Sequence, residues 1–342
     1  MTYYILIPVY QAKSWLVACM KSVFSQTVQN FHVILVDDGS TDGSSQLCDG
    51  FAQKDRRVEV LHQKNTGPYG ARRAAIERCI QLADPNDWVV FLDADDSLKE
   101  NALETIGQKA GDCDLVFIGE DQVWQGEILR PFPVHMAHVG TVEDKRQLYK
   151  IVFQDGWYNP LWKKAAKAYL LPKDGVKEYY PVRFGEDLLQ SIPMYRDCKK
   201  AVFLPDSLYN YAINPDSATN ALSYEKYRCS SLVIRECWRF LKAQNLWTEA
   251  DFTEYMSWLR LLTRFQVRLV AKFDTSYANR TRLLKEIRED EFYRQVIDTA
   301  PKKDWMLYLM KKKCFFPICL FGDALRLGKK LTKQEKPCIT HA

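Results

Sequence analysis

The chain has 342 residues, 47% hydrophobic and 27% charged, which excludes a disordered or fibrous protein and suffices to bury a full core. Its 48 basic and 43 acidic residues leave a formal charge of only +5, too mild a surplus to name nucleic acid as a partner; basic clustering is confined to the C-terminal end. Ten scattered cysteines without a Cys-x-x-Cys pair read as reduced, buried thiols. MTYYILIPVY lacks the basic start and long apolar stretch of a signal peptide, and no window reaches the roughly 20 apolar residues that cross a bilayer, so a cytoplasmic protein is expected.

Through the first 120 residues short apolar runs alternate with helical patterns, the signature of a mostly parallel sheet flanked by helices. The runs 3–8, 31–36, 57–62, 88–92 and 114–118 predict strands, and the periodicity over 14–26, 44–54, 70–83 and 100–109 predicts helices. Residues 119–140 are irregular, fitting a connection or a β excursion. Helices are then expected over 159–171 and 184–195, and short strands over 201–204 and 207–211. Beyond Tyr224 every pattern is helical, with amphipathic stretches to about residue 245, over 249–272 and over 278–297. A boundary near residue 222 divides an α/β, Rossmann-like nucleotide-binding domain (1–222) from a helical C-terminal region (223–342).

In open sheets of this type ligands sit beyond the carboxyl ends of the strands. Those ends are polar here: Pro8-Val9-Tyr10, Asp37-Asp38-Gly39-Ser40, Lys64-Asn65-Thr66-Gly67 and Asp93-Ala94-Asp95-Asp96. Asp93 and Asp95 on one tight loop suit a hard cation, Mn²⁺ or Mg²⁺, that is bound together with substrate phosphates and neutralises a diphosphate leaving group. The same residues are also common in turns and caps. The run from Asp37 to Ser44 fits a turn with an N-capped helix, or a carboxylate accepting from uracil N3–H or a ribose hydroxyl. Arg72 and Arg73 could brace a diphosphate or the neighbouring carboxylates, or lie on a surface. Glu186 and Asp187 open an apolar helix, where an acidic pair complements the helix dipole or supplies a general base.

The series Ile7-Pro-Val-Tyr10, Val36 to Ser44, Asn65-Thr-Gly67 with Ala71-Arg72, and Phe91-Leu-Asp-Ala-Asp-Asp96 resembles family 2 glycosyltransferases in order and spacing. So do Asn159-Pro-Leu-Trp-Lys163, Gly185-Glu-Asp187, Leu208-Tyr-Asn-Tyr211 and Asn214-Pro-Asp-Ser217, a pattern similar to bacterial enzymes that build capsular, exo- or cell-wall polysaccharides. The resemblance covers residues 3 to 220. It implies a GT-A fold, a nucleotide-sugar donor (UDP-linked by family frequency), Mn²⁺ or Mg²⁺, and inverting transfer to a hydroxyl of a polysaccharide or lipid-linked acceptor. In that picture Pro8, Tyr10, Asp37, Asp38 and Arg72 hold the nucleotide, and Asn65, Gly67 and Ala94 belong to the donor-binding motifs. Asp93 lies near the ribose or sugar and joins Asp95 at the metal. Asp187 is the base with Glu186 beside it, and Trp162 lies near the acceptor or donor sugar. Gln11 and Arg73 depart from the family's usual Asn at both places. A non-catalytic partner of another transferase is the alternative. A dinucleotide oxidoreductase would need a Gly-x-Gly-x-x-Gly turn after the first strand and a nucleotidyltransferase a Gly-rich phosphate loop, and neither is present.

In the C-terminal third, Trp238, Trp247, Trp258, Arg260, Arg264 and Arg268 read as packing faces. Lys302, Lys303 and Lys311–Lys313, followed by the apolar run 314–321 and then Arg326, Lys329 and Lys330, fit a helix on the anionic inner face of a membrane. They fit equally a helix docked on its own domain or on a second copy in a homodimer.

Overall fold

A computed structural model describes residues 1–124, 126–154, 158–213, 223–244 and 248–332. The chain divides into two compact units, Met1–Asn214 and Pro215–Ala342. The expected boundary at 222 and the Asn214-Pro-Asp-Ser217 motif lie outside the described residues.

The first unit is built on a sheet whose centre is continuously apolar. In β1 (Tyr3–Val9) and β2 (Phe31–Asp37), Ile5, Leu6, Ile7, Val33, Ile34 and Leu35 are all at most 1% exposed. Burial on both faces is what a parallel strand covered by helices on each side requires. β3 (Val58–His62) and β4 (Trp88–Phe91) complete the parallel half, in the order β3-β2-β1-β4. α1 (Leu16–Phe24), α2 (Ser44–Lys54) and α3 (Gly67–Leu82) connect these strands, so the β1, β2 and β4 strand ends and the start of α3 face one rim. After the two-residue β5 (Ser97–Leu98) and α4 (Ala102–Lys109), β6 (Leu115–Trp124) runs past its expected end and pairs with β7 (Glu127–Phe132), which is the anticipated β excursion. β8 (Gly140–Val142) and α5 (Lys145–Gln154) follow.

Two expectations are corrected here. The helix expected over 159–171 is a 3₁₀ turn at Leu161–Lys163, the strand β9 (Lys164–Lys167) and a second 3₁₀ turn at Ala168–Leu170. Pro160 and Pro172 bracket the segment, and the small side chains of Ala165 and Ala166, wholly buried, let it run antiparallel between β4 and β6. A short apolar run fits strand or helix equally, and sheet pairing decides it. The two short strands expected over 201–211 are one, β10 (Ala201–Ala212), parallel to β6 with register shifts on either side of Ser207, just after Pro205. A proline cannot donate to the ladder and sits at such irregularities. Between β9 and β10 lies α6 (Glu186–Asp197), preceded by Gly185 at φ +80°.

The second unit is helical as expected: α7 (Tyr224–Ala243), α8 (Glu249–Ala271), α9 (Tyr277–Glu289), α10 (Glu291–Asp298), α11 (Trp305–Lys311) and α12 (Phe316–Thr332). The single helix expected over 278–297 breaks at Asp290, whose extended backbone and side chain cap α10 by accepting from the Phe292 and Tyr293 N–H groups. The apolar run at the start of α12 is divided. Phe315, Ile318 and Cys319 join the core of their own unit with Leu284, Tyr293 and Leu307, whereas Phe316, Leu320 and Leu327 are exposed. A Cβ at Gly322 would overlap the Ala271 carbonyl, so α12 lies tight against the end of α8. Arg280 donates to both carboxylate oxygens of Asp323 and fixes that seat.

Candidate active site

The ends of β1 and β2 are tied together by their own side chains. Gln11 stands at φ +51°; its backbone N–H donates to Ser40 Oγ (3.1 Å) and its side-chain oxygen accepts from the Thr41 N–H (2.8 Å). The residue that departs from the family pattern therefore joins two strand-end loops. Tyr10 beside it is 54% exposed, and Pro8 is half-buried. Asp37 is buried; its Oδ1 accepts the Ser40 N–H (3.0 Å) and its Oδ2 faces His62 Nδ1 (3.0 Å), while His62 Nε2 reaches Asp49 (2.9 Å). Burial alone would raise this carboxyl, but the hydrogen bonds from Ser40 and His62 outweigh it and hold it below its ordinary value.

Asp38 serves the chain itself. Its Oδ1 accepts from Gln63 Nε2 (2.7 Å) and the Thr66 N–H (2.8 Å), and its Oδ2 from the Gly67 N–H (2.9 Å), capping the start of α3. Gly67 has φ +81°, and a Cβ there would overlap the Arg183 guanidinium, which donates to the Thr66 and Tyr180 carbonyls. A side chain at Gly67 would be strained by that φ and would have to displace the Arg183 guanidinium from its carbonyls. Asn65 is exposed on the same loop.

Arg72 is the centre of the site. Carried on α3 and only 7% exposed, its guanidinium reaches Asp93 Oδ1 (2.7 Å) after β4, and Glu186 Oε1 and Asp187 Oδ1 (2.8 Å each) in the first turn of α6. Residues 21, 114 and 115 positions away are thus gathered on one planar fork, the task for which arginine is suited. Burial would discharge Arg72, yet Asp187, Asp93 and Glu186 hold it charged, well above its ordinary value. Burial and Asp187 push Glu186 up to about 7 against the pull of Arg72, and burial raises Asp187 too, with Arg72 and Lys164 opposing. Asp187 Oδ2 accepts the Leu161 N–H (3.3 Å).

The loop after β4 is pinned by a residue that sequence reasoning gave no role. Asp96, 4% exposed, accepts from Tyr209 Oη (2.6 Å) and the Ala212 N–H (2.7 Å), and Tyr209 Oη in turn accepts the Asp93 N–H (3.2 Å). The sequence signal for this support is the Tyr209-Asn-Tyr211 run of β10. Trp162 stacks on Tyr209 (centroids 4.5 Å apart) and on Tyr211 (5.6 Å), forming a largely buried wall beside that loop. Ala94 is buried within the loop. Asp95 is pushed up to about 6, first by burial and then by Asp93. Arg73, by contrast, points away: it is 1% exposed and donates to the Pro172 and Lys173 carbonyls, so the expectation that it braces a diphosphate or the carboxylates is corrected.

Asp93 and Asp95 fit a hard cation. Their repulsion is what a divalent ion would relieve, and among the described residues no third His, Cys, Asp or Glu completes a metal cage with them. Two carboxylates that leave room for phosphate and water are the pattern magnesium-type ions use.

The family model for glycosyl transferase family 2 matches residues 4–170. Glycosyltransferase GlyG of Streptococcus pneumoniae is 31% identical over 215 residues, covering 60% of this chain and 69% of that one. The uncharacterized glycosyltransferase EpsJ of Bacillus subtilis is 24% identical over 220 residues, covering 63% and 62%. Among solved structures, residues 1–349 of TarS from S. aureus have a similar fold, with a TM-score of 0.63 at 17% identity and coverage of 96% and 92%; that protein has also been crystallised with UDP and with UDP-GlcNAc. With its strand-end motifs and Arg72-centred site on a GT-A fold, the chain belongs to glycosyltransferase family 2 and is a transferase.

Proposed function

We propose that the enzyme transfers a sugar from a nucleotide-diphosphate sugar, UDP-linked, onto a hydroxyl of a polysaccharide or lipid-linked acceptor by an inverting single displacement. The observation that carries this reading is the convergence of Asp93, Glu186 and Asp187 on the buried Arg72 beside Asp95. On this reading Asp37, held charged by Ser40 and His62, is the acceptor for the base or ribose, and Pro8, Tyr10 and the Asn65–Gly67 loop complete the donor-binding motifs. Asp93 and Asp95 would hold a Mn²⁺ or Mg²⁺, which when bound would neutralise the charge of the departing diphosphate. Asp187 takes the acceptor's proton; a carboxyl raised by burial is better matched to that task near neutral pH than an ordinary one. Arg72 holds Asp93 and Asp187 in one frame, and Trp162 backs the sugar-facing wall.

The exposed Phe316, Leu320 and Leu327 of α12, close in sequence to the exposed Lys311–Lys313, support a contact with an anionic membrane surface, where lipid-linked acceptors reside. Among the described residues no helix is long and apolar enough to cross a membrane.

The test incubates the protein with Mn²⁺ or Mg²⁺ and a panel of UDP-, GDP- and dTDP-sugars while released nucleotide is measured. Metal-dependent turnover of a UDP-sugar is expected. Failure to bind any nucleotide with either ion present would overturn the reading.

A further inference from the structure

Lys164, the first residue of β9, is wholly buried. A buried ammonium is costly unless its protons are placed, and an apolar residue of the same volume would serve packing better. Its Nζ donates to the carbonyls of Asn159 (3.1 Å) and Pro160 (2.6 Å), two successive groups of the turn leading into β9. The rings of Phe117 and Tyr195 stand about it, with their centroids 6.0 and 5.7 Å from Nζ. The next N–H of that turn, at Leu161, is the one that donates to Asp187 Oδ2. One buried amino group thus gathers two carbonyls immediately before the amide that donates to Asp187 Oδ2, while Arg72 takes Oδ1.

We propose that Lys164 is a positioning residue for Asp187: by holding the Asn159 and Pro160 carbonyls it aims the Leu161 N–H and fixes the carboxylate that takes the acceptor's proton. The inference rests on the reading of Asp187 as the base. Lys164 is wholly buried, so its removal acts on the chemical step and not on the nucleotide, whose motifs lie at the ends of β1, β2 and β4 and on α3. Small misplacements of a catalytic group are enough to slow a reaction by about 100-fold.

The experiment compares Lys164→Met, Asp187→Asn and the double variant with the parent, reading kcat with the UDP-sugar that is turned over, and the Kd for UDP in the presence of metal. The expected result is a 10- to 100-fold loss of kcat in Lys164→Met, roughly as estimated for misplacement, with UDP affinity within about 2-fold of the parent. Because both residues act through one carboxylate, Lys164→Met should slow the Asp187→Asn enzyme no further. A loss that multiplies with that of Asp187→Asn would overturn the proposal, as would full kcat in Lys164→Met beside an inactive Asp187→Asn. Full kcat in Asp187→Asn would overturn the base reading and this proposal together. Should Lys164→Met fail to fold, Lys164→Gln, whose shorter amide keeps part of the donation to the carbonyls, is compared instead: a smaller loss of kcat that disappears in the Asp187→Asn background is expected, and a loss that multiplies with that of Asp187→Asn would overturn the proposal.

Discussion

Arg72 neutralises less charge than surrounds it. Three carboxylates lean on one guanidinium, so its removal leaves a buried, uncompensated cluster. Arg72→Ala should lower stability by about 3 kcal/mol, read as a reduced urea midpoint, and Arg72→Lys should rescue little because an ammonium cannot span three acceptors. A midpoint unchanged in Arg72→Ala would show that the cluster is already discharged. Asp95 behaves in the opposite sense. Its value in the folded chain stands at about 6 against an ordinary 3.8, so folding favours the protonated form. Stability is therefore lost as pH rises between those values, and the cost is complete above about 6. Asp95→Asn should stabilise the metal-free protein at pH 7 by about 1–2 kcal/mol, discounted for partial exposure, should do nothing at pH 3.5, and should weaken metal-dependent UDP binding. Equal melting temperatures for Asp95→Asn and the parent at pH 7 would contradict the electrostatic account. That Arg72 braces carboxylates was legible in the sequence, but which carboxylates it gathers was not. Arg72 and Asp187 are 115 positions apart, and nothing local marks Arg72 as bound inward and Arg73 as bound to the Pro172 carbonyl.

At the scale of elements, legibility followed how local the determinants were. β1, β2 and β4 were readable because burial on both faces writes an unbroken apolar run, and α2 because Asp42 and Ser44 mark its start. Lys164–Lys167 was not readable, since its strand state depends on β4 and β6 lying on either side. The break between α9 and α10 had a local signal, Asp290 as a cap inside a helical pattern, that periodicity alone overlooks. α12 divides its apolar residues between its own core and an exposed face. The intact protein is expected to sediment with anionic liposomes at low ionic strength and to be released by salt. Replacing Phe316 and Leu320 by Ser should weaken that binding several-fold while leaving UDP affinity unchanged. Indifference of the intact protein to anionic liposomes would refute the membrane contact.

For the molecule as a whole, the sheet's topology does the assembling. Parallel strands bring the polar ends of β1, β2 and β4 to one rim, and α3 and α6 deliver an arginine and two carboxylates to it. The strand-end motifs, and with them the family, could be read before the fold was known, because each motif is short and the order is fixed by the sheet. The supports behind them, Asp96 on Tyr209, Arg183 over Gly67 and Lys164 behind Asp187, could not, because each joins segments that only tertiary structure makes neighbours. The central claim is a division of labour across Arg72, with donor and metal on the Asp93–Asp95 side and proton removal on the Asp187 side. It is tested most directly by Asp187→Asn, assayed for transfer and for metal-dependent UDP binding in the same preparation. Transfer should fall by about 10²- to 10⁴-fold, the usual contribution of a general base, with UDP affinity nearly unchanged. Parallel loss of UDP binding, or transfer at the parent's rate, would contradict it.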